Sequence, residues 1–524
     1  MKTKIISLCF GVFVIIGTTS CNFLEIEPSD FVTTEYYYNT SEQLNFSLNG
    51  VYSTLGSYGL YQYTYLCQLG TEADEGFFSR STTTSGPQFY NYTSSDKNIQ
   101  SLWQNLYIGI ENANLLLENI NKPTMDENKR NNIKGQALFL RAYYYFILTI
   151  NFGDVPLKLE STKTANFPKV TRTPVRDVYT QIISDMTMAE SLVQTATEVG
   201  FGGRISKSAI QGVLARVYLY MAGYPINDKS KYLDAKYWAE QVINSKEHEL
   251  NPDYQQVFIN YAQDKYDIKE SIWEVEFWGN GQDSYKEYGQ VGNVLGISAL
   301  ANSTFGYSIA LLNATYTQYL RYEAGDLRRD WNCAPFRYSG TTKVYWGSQH
   351  RYNRNVGKFR REYETLSPKT NSGTPQNYPL LRYSDVLLMY AEAENELNGP
   401  TQAAYDAINL VRDRAFGNLM PNATINPTAK IPEDLNKEEF RAIIQNERSR
   451  ELCFEGLRKY DLIRWDIFIQ TMKAVANEFT NSAGNDWMYG SLAFKNVEAK
   501  DVLMPIPIHE TSLNHDLGQN PGWQ

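Results

Sequence analysis

Asp74 and Glu75 stand side by side in the stretch GTEADEGFFSR. Two carboxyls in a loop invite a glycosidase reading, in which an acid and a second carboxylate face each other across the scissile bond. Neighbouring side chains tend to diverge, so this pair fits poorly. Glycoside hydrolysis is kept as an alternative, because spacing in sequence does not fix spacing in space. The four histidines, His248, His350, His509 and His515, show no metal-ligand spacing, and His509-Glu510 lacks the second histidine of a zinc-protease helix. There is no G-x-S-x-G elbow and no phosphate-binding glycine loop.

What the chain has in quantity is aromatic side chains, 14% of its residues, with 39 tyrosines. A sugar presents a flat apolar face and an edge of hydroxyls. Tyr and Trp rings offer apolar area with a polar tip, and a few planar donors and acceptors fix orientation. Two stretches supply both kinds. The first offers Asp74, Glu75, Phe77, Phe78 and Arg80, then Tyr90, Asn91 and Tyr92. The second, in the middle of the chain, offers Trp278, Asn280, Tyr285, Tyr288, Tyr345 and Trp346. Any one of these rings could equally be packed against a scaffold.

That scaffold is predicted to be helical. In LLRYSDVLLMYAEAENELNGP, apolar residues line two adjacent faces and leave a narrow polar stripe, as in a helix covered on both sides. Gly399 and Pro400 should stop it. Comparable helices are expected over 134–148 and 207–223, with partners over 173–192, 232–245 and 401–415. Asn436 and Glu439 form a capping-box start for the segment that follows, with LRKYDLIRWDIFIQTMK as its mate. The expectation is a mainly α fold of about four tetratricopeptide-like helix pairs. Long irregular loops and short strands would be inserted and form the ligand face. Arg382 and Asp385 should pair, as should Glu447, Arg448, Arg450, Glu451, Glu455 and Arg458. Arg141, inside an apolar helix, should bond buried carbonyls or a carboxylate.

Lys2 and Lys4 precede an apolar run from Ile5 to Ile16, too short to span a bilayer but suited to secretion. Small residues then lead to Cys21 in GTTSCNFLEIEP, which looks like a lipobox with Thr18 where an aliphatic residue is usual. Lipidation at Cys21 would tether the protein to a membrane; the alternative is ordinary cleavage and a free thiol. Cys67, Cys333 and Cys453 form neither a disulfide framework nor a zinc pattern; a single disulfide stays open as the alternative, and small buried thiols are the preferred reading. A formal charge of −9 with no basic cluster argues against a nucleic-acid partner.

The segments CNFLEIEP, LWQNLYIGIENANLLL, GQALFLRAYYYF with FGDVPL, and GRISKSAIQGVLARVYLYMAG follow one another in order. After them come ESIWEVEF, LLRYSDVLLMYAEAENELNG, INLVRDRA, ERSRELCFEGLRKYDLIRW and MPIPIHETSLNHDLGQNPGW. Together they resemble SusD/RagB-type outer-membrane nutrient-binding lipoproteins nearly end to end. The resemblance implies a lipid-anchored protein on the outer membrane, facing outward. It would capture oligosaccharides, or in some members peptides, and deliver them to a SusC-like TonB-dependent transporter without catalysis and without a cofactor. It also implies that ligand residues come from the two aromatic stretches above. The corresponding division is a leader over 1–20, an N-terminal part over 21–250, a loop-rich insertion over 251–380 and a C-terminal part over 381–524. Residues 21–524 would form one compact unit.

Overall fold

A computed structural model describes residues 37–523 except 70–72, 164–169, 283, 285, 286, 483 and 484. The leader, Cys21 and Tyr285 lie outside the described residues.

The molecule is mainly α-helical. Its first half is built from α1 (Ser41–Ser53), α2 (Lys97–Asn119), α3 (Glu127–Phe152), α4 (Val175–Glu190), α5 (Lys207–Ala222) and α6 (Lys231–Ser245). Most of these starts are specified locally. Thr40 and Gln43 close a capping box on α1, Asp96 accepts the Asn98 N–H at 2.8 Å, and Asp126 accepts that of Lys129 at 3.0 Å. From Gly135 to Thr149 every residue of α3 is buried, because α2 and α4 cover it on two sides. Arg141 crosses this apolar interior to Asp185 of α4, with contacts of 2.8 and 2.9 Å, and to Asn114 of α2 at 2.9 Å.

The last third holds α7 (Tyr383–Asn398), α8 (Gln402–Ala415), α9 (Lys437–Leu452), α10 (Arg458–Arg464) and α11 (Phe468–Ser482). The helix pairs α3–α4, α5–α6 and α7–α8 pack as the periodicity predicts, and α7 also packs on α6. Gly399 ends α7 at φ +81°, its N–H bonded to Asn395. The Asn436–Glu439 capping box opens α9. The segment after α9 is divided: Asp466, at φ +60°, separates α10 from α11. Arg448 holds α10 to α9 through Asp461 at 2.8 Å, while α11 turns away onto residues 485–496.

Among the described residues there are three antiparallel strand pairs, the last of them a hairpin within the insertion. They are β1 (Gly76–Phe78) with β3 (Leu312–Ala314), β2 (Ser271–Val275) with β6 (Tyr378–Arg382), and β4 (Phe336–Ser339) with β5 (Thr342–Tyr345). Trp273 of β2 is fully buried against Phe139 and Tyr143 of α3, which fixes the second pair on the helices.

A buried charge lattice runs through α9. Arg382 contacts Glu451 and Glu270 at 2.9 Å and Glu455 at 2.8 Å; Arg414 contacts Glu451 at 2.7 Å and Arg328 contacts Glu447 at 2.6 Å. Arg382 does not pair with Asp385. It ends β6 in extended backbone (φ −118°, ψ 157°), and its side chain is taken up by Glu270, Glu451 and Glu455 and by the Ser384 hydroxyl at 2.7 Å. Asp385 instead joins Arg216 and Arg448, each at 2.6 Å. Those two guanidiniums outweigh the upward effect of burial and hold its carboxyl near 2. Cys67, Cys333 and Cys453 are buried thiols, and burial pushes Cys453 up to about 12. Among the described residues no helix is long and apolar enough to cross a membrane.

Candidate functional site

The two aromatic stretches, far apart in sequence, meet at the β1–β3 pairing, where Phe77 lies opposite Asn313. Beside it the chain forms a row of rings. Tyr316 and Tyr319 lie nearly parallel (13°) with centroids 6.2 Å apart. Tyr316 is 6.4 Å from Tyr352, Tyr352 is 6.5 Å from Trp487, and Trp487 is 5.8 Å from Tyr489. Tyr352 is buried and forms the floor; the other four are partly exposed. Rings held this way offer successive apolar plates to a ligand, with hydroxyl and indole N–H groups at their edges.

The predicted residues of the first stretch hold this row in place from below. Asp74 is fully buried, bonded to Arg458 at 2.8 and 2.9 Å and to Arg321. Burial would raise its carboxyl, but the two guanidiniums win and keep it below the usual carboxylate range. Its carbonyl accepts the Thr315 hydroxyl at 2.7 Å, and that of Glu75 accepts the Thr315 N–H at 3.1 Å. Thr315 in turn caps the short helix Tyr316–Leu320, which carries Tyr316 and Tyr319. Glu75 is buried too, and burial pushes it up to about 8 although the Phe454 N–H donates to it at 2.7 Å. The two carboxyls therefore face the interior and not a shared cleft.

Phe77 is buried under Trp487 (5.9 Å), Tyr352 (6.3 Å) and Phe479 (5.1 Å). Phe78 is nearly buried against Phe89 at 5.4 Å, and Tyr90 is buried against Phe468 at 6.0 Å with Lys459 over its ring. Arg80 reaches the surface beside Tyr489. It donates to the Ser79 hydroxyl at 2.8 Å and to the Ile309 carbonyl. Burial raises the Tyr489 hydroxyl and the nearby Arg80 partly opposes it. Asn91 and Tyr92 line a polar groove of about 490 Å³ over residues 85–98. Tyr92 also packs on Trp523 at 4.7 Å.

Residues of the second stretch separate into two groups. Trp346 tilts over His350 at 5.8 Å, with Arg337 above its ring, and Tyr345 projects from β5 with two-thirds of its surface exposed. This hairpin continues through His350 and Arg351 into the ring row at Tyr352. Trp278 is half-exposed on another loop. There Asn280 is buried, its amide donating to the Pro368 carbonyl at 2.8 Å, and Tyr288 lies over Gly281 with its carbonyl accepting from Gln62. The exposed Tyr58, stacked on Tyr63 at 5.0 Å, belongs to this second group.

Tyr316, Tyr319, Tyr352, Trp487 and Tyr489, all five rings of the row, are not among the sequence candidates. A signal existed in YTQYL, which puts two tyrosines on one helical face, and in DWMYG, two aromatics before a glycine. Gly490 is required by packing: a Cβ there would lie 2.6 Å from Phe77 and 2.9 Å from Phe479. Among the described residues no group of His, Cys, Asp or Glu is arranged to hold a metal ion.

Comparison with known proteins gives a consistent set of likenesses. Residues 334–523 match the model of the SusD family, and residues 22–219 match a model described as starch-binding and associating with the outer membrane. SusD-like protein P2 of Formosa agariphila is 28% identical over 98% of both chains. The starch-binding protein SusD of Bacteroides thetaiotaomicron is 24% identical over the full length of both. The crystal structure of a SusD homolog from Bacteroides thetaiotaomicron is 30% identical. It superposes at a TM-score of 0.86, covering 94% of this chain and 98% of that one.

Proposed function

Because the chain belongs to the SusD/RagB family, we propose that it is a carbohydrate-binding protein of the outer membrane, displayed outward. It captures oligosaccharides and hands them unchanged to a SusC-like TonB-dependent transporter. The observation that carries the ligand class is the row Tyr319–Tyr316–Tyr352–Trp487–Tyr489. Its spacing, with Tyr352 as the buried floor and the other four rings partly exposed, suits stacking of successive sugar rings, with Arg80 at one end to bind hydroxyls. The relatives named as starch-binding support the same class. The second group, with Tyr58, Trp278 and Tyr288, is a further surface on which the same ligand could rest, and Tyr345 and Trp346 extend the first.

A panel of purified oligosaccharides tests this by calorimetry. At least one should bind, and Trp487→Ala should weaken it about tenfold, by analogy with a base stacked on one ring, which is worth about 1–3 kcal/mol. A panel member recovered as shorter products would show that the protein is an enzyme. Lipid on Cys21 supplies the anchor in this reading. Cys21→Ser should then move the protein into the soluble fraction of cells that lack the transporter.

A further inference from the structure

We infer that the glycan taken by this face is acidic, carrying sulfate or uronic carboxylate groups; the inference rests on the glycan-binding reading above.

The argument begins with how this protein treats its arginines. Through the interior they are matched to carboxylates, often several at once, as at Arg382, Arg328 and Arg448. Among the described residues, the arginines with no carboxylate within ion-pair distance are Arg80, Arg172, Arg176, Arg204, Arg337 and Arg351. Three of those six, Arg80, Arg337 and Arg351, lie along the ring row and its hairpin. A fourth arginine there, Arg354, is weakly paired: its Nη1 has no hydrogen-bond acceptor and sits 3.9 Å from Asp330.

These guanidiniums are also held in one particular way. Arg351 lies over Tyr316 at 4.8 Å, Arg354 over Tyr319 at 4.3 Å and Arg337 over Trp346 at 5.6 Å. Stacking on a ring orients the planar cation and uses its face; Arg354 is mostly buried, while at the exposed Arg337 and Arg351 the N–H edge stays available. That edge matches the two oxygens of a carboxylate or sulfate, and such bidentate charged contacts are about twice as strong as neutral ones. A neutral sugar needs no such edge. The acids facing this strip are Asp330, which is occupied by Arg329 at 3.0 Å, Glu362, which is occupied by Lys343 at 2.8 Å, and Glu478, which accepts the Tyr352 hydroxyl and has Arg351 nearby beyond ion-pair distance. Positive charge is therefore in excess here, on a chain whose formal charge is −9. A local excess against the overall balance steers an anion to one place on the molecule.

The experiment compares each acidic glycan with its own neutralised form on the full-length protein. The probes are carrageenan and desulfated carrageenan, chondroitin sulfate and desulfated chondroitin, and polygalacturonate and its carboxyl-reduced form, with affinity read by calorimetry at 50 and 300 mM NaCl in parallel (both chosen to bracket a Debye length of about 10 Å). At least one acidic form should bind tenfold or more tighter than its neutral counterpart, with the margin shrinking in high salt. The Arg337→Gln, Arg351→Gln double variant should lose that margin while its melting temperature stays within about 2 °C, as befits exposed substitutions. Arg204→Gln, away from this face, should keep the margin. Neutral forms binding as tightly as acidic ones, or a margin surviving in the double variant, would overturn the inference and leave glycan binding standing. No binding to any glycan, acidic or neutral, would overturn both.

Discussion

Asp74 shows how a residue can support a candidate site from its buried side. The sequence marks it as a loop carboxylate among aromatics, which suits sugar hydroxyls. Its actual partners, Arg321 and Arg458, come from positions 247 and 384 residues away, and no local pattern announces them. What it does is neutralise two buried guanidiniums and, through its carbonyl, fix Thr315 under the ring row. Asp74→Asn leaves those cations without a counter-charge and should cost about 3–5 kcal/mol of stability, read as a lowered denaturant midpoint. Gly490→Ala acts by a different route. The added methyl meets Phe77 and Phe479, so it should destabilise by about 1–3 kcal/mol and weaken glycan binding through a displaced Trp487. A Gly490→Ala protein with normal affinity would separate Trp487 from the ligand. Aromatics such as Phe77 and Tyr90 were legible as members of an aromatic loop region and not as its buried layer, because ring type alone does not distinguish a plate from its support.

At the level of elements, the helices were the legible part. Their apolar periodicity, the Gly399 stop and the Asn436 capping box lie within a few residues of one another and need no tertiary information. The segment after α9 was less legible, because its division at Asp466 depends on a left-handed backbone that the side chain does not dictate. The charge pattern of α9 was readable as paired, yet the partners turn out to lie on β6, α8 and the insertion and not mainly along the helix itself. Glu451 is the hub, touching Arg328, Arg382 and Arg414. Glu451→Gln removes one charge from three buried cations, and urea denaturation should report a loss of about 3–5 kcal/mol. A near-neutral result would mean that Glu447, Glu455 and Glu270 suffice to balance them.

Over the whole molecule, two buried carboxyls set a pH dependence that the ion-paired acids do not. Glu75 is pushed to about 8 and Glu274 to about 7, both chiefly by burial, from an ordinary value of 4.5. Glu75 faces Asp74, Arg458 and Lys358; Glu274 faces Ser271, Asn377, Glu276 and Asp264. Each is more basic folded than unfolded, so the stability it contributes is full below about 4.5 and is lost as pH rises towards the folded value. Asp74, Asp385, Glu447 and Glu451 have depressed values, so the stability they contribute is full above about 4.5 and is lost only as pH falls into the strongly acidic range. His248, lowered by burial, works in the opposite direction below 6.5. The comparison that isolates Glu75 is wild type against Glu75→Gln: between pH 6 and 8 the wild type should lose melting temperature relative to the variant. A constant gap across that range would place Glu75 at an ordinary value.

The β1–β3 pairing joins backbone from the early loop to backbone of the insertion, and the Thr315–Asp74 bond closes a loop of 241 positions. Helices can form and pair from neighbouring sequence, whereas this closure must wait for most of the chain and carries its entropy cost first. The ring row would then be assembled after the helical frame, and it would be released before that frame melts. In hydrogen exchange the amides of Gly76–Phe78 and Leu312–Ala314 should open at lower free energy than those of α3. A copy caught before that closure would be folded in its helices and blind to its ligand.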